Sequence, residues 1–118
     1  MATPYFNFSY PEPTGVVSII SPKDSHLLGF ISVIAPAIVG GNTVVVLAPE
    51  DNPLCAISFS EVLHSSDVPS GVINILSGLS NELIDHFSSH MDVNAIINCG
   101  VDSKDAELIV KNSSLNVK

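Results

Sequence analysis

The chain has 118 residues, 46% of them apolar and 14% charged, which suits one domain with a core and excludes a disordered polypeptide. Twelve acidic residues against four lysines and no arginine give a net charge of −8, so nucleic acid and anionic membrane surfaces are poor partners. Two cysteines, Cys55 and Cys99, form no disulfide framework, and no charged-then-apolar leader opens the chain, so a reduced, cytoplasmic protein is expected.

Residues 1–13 mix aromatics with three prolines and show no period, which reads as an extended arm ahead of a single domain over 14–118. A β-rich run at 16–20 ends at Ser21-Pro22, and an apolar helix is expected over 25–39. A second strand spans 43–47 and stops before Pro49. A helix over 53–64 has Pro53 in its first turn and Leu54, Ile57, Val62 and Leu63 on one face. The third strand, 72–76, is followed by a helix over 81–88 that carries Leu83, Ile84 and Phe87 on one side. A fourth strand covers 93–97, a last helix covers 103–110 with Lys111 at its end, and residues 115–117 could open a fifth strand.

The stretch 27–48 carries no charge and is long enough to cross a bilayer. Pro36 and Gly40-Gly41-Asn42 divide it, however, and its flanks are His26, Glu50 and Asp51 rather than basic residues. A buried helix, glycine turn and strand account for it better. With only 14% charge against about 25% in an average soluble domain, the fold is expected to bury surface against something else.

Apolar strands alternating with helices imply the α/β class: an open parallel sheet of four to five strands with helices on both faces and right-handed crossovers. Ligands of such sheets sit beyond the carboxyl ends of the strands. Those ends are Ser21-Pro22-Lys23-Asp24, Ala48-Pro49-Glu50-Asp51, Ser77-Gly78-Leu79-Ser80 and Asn98-Cys99-Gly100-Val101. No GxGxxG or Walker A pattern occurs, and Gly78 and Gly100 taken singly read as tight turns. His86 and His90 share a helix face beside Asp85, but no third metal ligand is evident, so no metal site is expected. Cys55 reads as a small core residue, while Cys99 stands at a strand end without a visible base. No catalytic constellation emerges from these residues alone.

Read together, several blocks carry a resemblance: Pro13-Thr14-Gly15-Val16-Val17, Ile34-Ala35-Pro36-Ala37, Gly41-Asn42-Thr43-Val44-Val45-Val46, Pro69-Ser70-Gly71-Val72-Ile73-Asn74 and His90-Met91-Asp92-Val93. Over roughly nine-tenths of its length, the chain resembles the central part of the Rossmann-like NAD(P)-binding domain of the aldehyde dehydrogenase superfamily. The resemblance implies NAD as cofactor, with Ile20, Ser21, Pro22, Glu50, Gly78 and Gly100 as the retained cofactor-binding positions. It also implies a larger oligomeric subunit as the partner of this segment, or self-association.

The family pattern is broken at several functional positions. Lys23 and Asp24 replace the aromatic and the asparagine after the first strand, and that asparagine amide donates to the oxyanion in the family. A carboxylate cannot donate, so no catalytic residue is assigned. Leu47 replaces the lysine that accompanies Glu50 at the adenosine ribose. Ser80 and Ile84 replace two glycines, and the bulk of Ile84 is expected to obstruct close helix approach. Asn98 and Val101 stand where the family has phenylalanine and a phosphate-contacting serine. The family's nucleophilic cysteine and general-base glutamate would lie beyond Lys118, and Cys99 does not match the nucleophile. Two readings follow: a cofactor-binding segment that is not catalytic by itself, or a pseudoenzyme or structural module with weak or lost NAD binding.

Overall fold

The computed structural model describes residues 4–116 and 118. Eight elements alternate along it: β1 (Val16–Ile20), α1 (Leu28–Val39), β2 (Thr43–Leu47), α2 (Leu54–His64), β3 (Ile73–Leu76), α3 (Ser80–Ser89), β4 (Ala95–Asn98) and α4 (Ser103–Asn116). The strands are short runs dominated by Val and Ile, side chains whose branched Cβ suits a pleated, covered surface. All pairings are parallel, in the order β3-β2-β1-β4, with Val17 opposite Val44 and Ala95, and Val44 opposite Ile73.

Because successive strand side chains point to opposite faces, the register sorts the core into two layers. Val17, Ile19, Val44 and Val46 face α1 and α2 and bury Phe30, Ile34 and Ala56. Ile20 and Leu47 face α3 and α4 and bury Ile84, Phe87 and Ile109. The expected α/β sheet with helices on both faces is therefore observed, with four strands. The chain steps outward from β1 to β2 to β3, then crosses back through α3 to place β4 on the other side of β1. That reversal puts the topological switch point between the carboxyl ends of β1 and β4.

Helix α1 continues through Pro36 and ends at a glycine pair. Gly41 adopts φ +86°, Asn42 N–H donates to Ala37 O (3.3 Å) and Gly41 N–H to Ile38 O (2.9 Å), the double closure of a Schellman turn. The Asn42 side chain then accepts from Thr14 N–H (2.7 Å) and Gly15 N–H (3.1 Å), fixing the entry to β1. Before α1, Ser25 Oγ accepts from Gly29 N–H (2.8 Å), so residues 25–27 form a turn and the helix begins later than its sequence suggests.

Leu115 and Asn116 finish α4 rather than opening a fifth strand, and Lys111 lies inside that helix. Val117 and residues 1–3 of the expected arm lie outside the described residues. The extension has a polar cause. Asn112 Nδ2 donates to Asp85 Oδ1 and Ser88 Oγ (both 2.9 Å), and Asn116 Nδ2 donates to Ser89 O (2.8 Å). Lys118 Nζ, beyond α4, reaches Ser88 O (3.0 Å), so α4 and Lys118 together satisfy carbonyls at the end of α3 that would otherwise lack partners. Residues 4–13 form no helix or strand and leave Tyr5, Phe6, Phe8 and Tyr10 exposed. Among the described residues, no helix is long and apolar enough to cross a membrane.

Candidate functional site

The turns after β1, β2 and β4 meet the first residue of α3 around a crevice lined by Ile20, Ser21, Lys23, Leu47, Ala48, Pro49, Glu50, Ser80 and Gly100. Its free volume is about 10 Å³, room for about one water molecule. The β1 and β4 turns touch directly: Cys99 N–H donates to Ile20 O (3.0 Å), and a Cβ on Gly100 would lie 2.1 Å from Ser21 O. Asn98 Oδ1 accepts from Gly100 N–H (3.3 Å) and Val101 N–H (3.2 Å), which shapes the β4 turn. Ser21 is buried, and its hydroxyl donates to Leu47 O across to β2.

Glu50 stands on the rim, its carboxylate accepting hydrogen bonds from both the hydroxyl and the backbone N–H of Ser80. Ser80 is the first residue of α3, and Leu79 before it supplies no side-chain cap, so Glu50 adds from 30 residues away a negative charge to that of Glu82 in the first turn, and takes the free N–H of Ser80. The Ser80 hydroxyl, then its N–H, hold the Glu50 carboxyl below its ordinary value of 4.5, partial burial opposes this, and Lys23 adds a smaller lowering. A carboxyl lowered in the folded state stabilises the fold above its unfolded pKa, and that contribution is lost as pH falls through the folded value. Glu50→Gln is therefore expected to be less stable than the parent at pH 7 by up to about 1 kcal/mol. In denaturant titrations at a series of pH values the difference should shrink as pH falls below the ordinary carboxyl value of 4.5 and vanish once the folded-state carboxyl is protonated; a gap that does not shrink contradicts the role of the charge.

The structure brings Ile20, Ser21, Glu50 and Gly100 together at this crevice. Pro22 adjoins it, its Cα 3.7 Å from the Cβ position of Gly100. Gly78 is not among the lining residues, and its Cβ position faces Leu83 at 3.0 Å. Asp24 is exposed on the β1 turn outside the lining. Leu47 forms part of the floor and is buried beneath α3. Ile84, expected to obstruct helix approach, is 1% exposed and seats α3 on the sheet among Ile20, Leu47, Phe87 and Ile109. Val101 packs against the same cluster and presents no hydroxyl. Cys99 is exposed, and Cys55 lies half-buried in an apolar groove between α1 and α2 with Leu27, Ile31 and Phe59. His86 and His90 border a separate groove near the start of β1, and no three metal-ligating side chains cluster among the described residues. Sequence reasoning read Ser80 as the replacement of a family glycine and missed its bond to Glu50, because nothing local links positions 30 apart.

The order of the strands, the reversal at β1 and β4 and the polar groups gathered there define a doubly wound α/β domain of the nucleotide-binding type. The family model of the aldehyde dehydrogenase family matches residues 2–118, and the chain belongs to that family. It is 35% identical to 2-hydroxymuconic semialdehyde dehydrogenase of Pseudomonas sp. (strain CF600), covering 100% of this chain and 25% of that enzyme. It is 41% identical to aldehyde dehydrogenase 1A1 of Rattus norvegicus, over 77% of this chain and 18% of the relative. Aldehyde dehydrogenase C of Pseudomonas syringae, solved with NAD+ and octanal, superposes with a TM-score of 0.84 at 31% identity over 91% of this chain and 22% of that one. Betaine aldehyde dehydrogenase of Staphylococcus aureus, solved with NAD+, gives 0.80 at 32% identity over 91% and 21%. The chain thus spans a quarter or less of the length of these relatives.

Proposed function

We propose that this chain is the cofactor-binding segment of an aldehyde dehydrogenase-type protein, that it binds NAD at the crevice between β1 and β4, and that it does not oxidise an aldehyde by itself. The observation that carries the reading is Glu50: its carboxylate sits on the rim beyond the strand ends and already accepts from a hydroxyl, that of Ser80, which stands in for a ribose hydroxyl. NAD accepts hydride when bound. The residues of this chain would do the holding: Glu50 would accept from the adenosine ribose, and Ser21, Pro22 and Gly100 would form the walls beside it. Lys23 is the one cation on the crevice lining and would face the cofactor phosphates. The fit is best at the ribose, since Val101 is turned into the core and offers no hydroxyl to the pyrophosphate.

The same reading has this segment working in the cytoplasm and packed against further polypeptide, either the remainder of a larger subunit or a second copy. Exposed apolar side chains on the outer helices support it, among them Leu28 (78%) and Leu54 (68%). A second reading, a structural module with weak or lost NAD binding, is favoured by the narrow crevice. Calorimetric titration separates the two. The expected result is NAD+ binding at high-micromolar to low-millimolar concentration, with NADP+ weaker by about 10-fold because the Glu50 carboxylate repels a 2′-phosphate. Absence of heat for both at several millimolar would leave only the structural module.

A further inference from the structure

The Glu50–Ser80 contact occupies the group on which the cofactor reading depends. Ser80 N–H is an orphan donor of the first turn of α3, and its only described acceptor is Glu50, which also takes the Ser80 hydroxyl. A ribose diol that grips Glu50 through both of its hydroxyls would need both carboxylate oxygens. Both donors of Ser80 converge on one of them, Oε1.

We propose that Ser80 is a latch that holds the Glu50 carboxylate against the start of α3, in competition with the ribose hydroxyls of the cofactor, and so sets the affinity of the crevice. This rests on the NAD reading above and deepens it. The physical basis is a population cost. If Glu50 is free of Ser80 for only a tenth of the time, the apparent dissociation constant rises about tenfold over that of the open state. Ser80 touches no cofactor in this account. It acts through Glu50 and is a positioning residue.

Two substitutions release the latch by degrees. Ser80→Ala removes the hydroxyl and leaves the N–H. Ser80→Pro removes both donors, and the site tolerates it: residue 80 is the first of α3, where proline is favoured, and Leu79 before it is extended at φ −84°, ψ 131°, as a residue preceding proline requires. Ser80→Thr keeps both donors. The experiment follows the Glu50 side-chain carboxyl through a pH titration by NMR and measures the dissociation constant for NAD+ on the same four proteins, parent included.

The expected result is a Glu50 carboxyl that titrates progressively higher from parent to Ser80→Ala to Ser80→Pro. NAD+ should bind about 3-fold and about 10-fold tighter in the same order, with Ser80→Thr matching the parent. A Glu50 titration that does not move overturns the contact. A titration that moves while NAD+ affinity stays constant overturns the competition and leaves the cofactor reading intact. Failure of all four proteins to bind NAD+ at several millimolar overturns the cofactor reading and the latch with it.

Discussion

Ile84→Gly, the substitution that would restore the family's glycine in α3, is expected to lower stability by about 3–6 kcal/mol. Ile84 is 1% exposed and meets Ile20 from β1, Leu47 from β2 and Ile109 from α4, so its removal opens a cavity at the centre of the second core layer. Deleting a buried isoleucine side chain to the Cβ costs about 2–5 kcal/mol, and glycine in a helix interior adds about 1 kcal/mol. For a domain of this size the midpoint of thermal melting should fall by on the order of 10–30 °C. A loss below 1 kcal/mol in urea titrations would mean that α3 can settle closer to the sheet, as it would over a glycine. In that case the packing described for this layer would be wrong. In this chain Ile84 fills the space under α3, and Glu50 accepts the hydrogen bonds of Ser80 at the helix start.

Gly100→Ala tests the opposite side of the crevice. Its Cβ would stand 2.1 Å from the carbonyl oxygen and 3.2 Å from the carbonyl carbon of Ser21. The obstruction is backbone, and that backbone is fixed: Ser21 N–H donates to Leu47 O (3.3 Å), and Cys99 N–H donates to Ile20 O. Neither turn can move without breaking the β1–β4 or β1–β2 ladder where it ends. The cost should lie at the upper end of the roughly 1–3 kcal/mol typical of overpacking, read as a lower urea midpoint with an unchanged slope. Gly78→Ala is the control. Its Cβ would meet the Cδ1 of Leu83 at 3.0 Å, the tip of a side chain that can rotate away, and the loss should be clearly smaller. Equal losses at the two positions would show that the β1 and β4 turns are not in the close contact described.

Much of the architecture was legible because its signals are local. Val16, Val17, Ile19 and Ile20 lie between a glycine and Ser21-Pro22, and β1 and β2 occupy the residues expected of them. The pairing of Gly40 and Gly41 marked the end of α1, and the glycine does what such a residue does there. Strand β4 begins later than expected because Val93 N–H is taken in a turn by His90 O (3.2 Å), and Asn94 pairs with Val16 at the edge of the sheet. The end of α4 was not legible. Asn112 and Asn116 are weak helix formers, and each is tied to α3 by a side-chain amide that donates to acceptors there. The crevice was legible in part. Strand-end positions located Ser21, Glu50 and Gly100, but Gly78 stands outside the lining, and the Ser80 bond depends on the tertiary distance between two turns.

NAD is proposed to lie in the β1–β4 crevice with its adenosine ribose at Glu50. Amide chemical-shift mapping of the isotope-labelled chain during NAD+ titration tests it most directly. Saturable shifts concentrated at Ser21, Glu50, Ser80 and Gly100 are expected, with the groove bordered by His86 and His90 unaffected. Shifts confined to that other groove, or none at several millimolar NAD+, would contradict it.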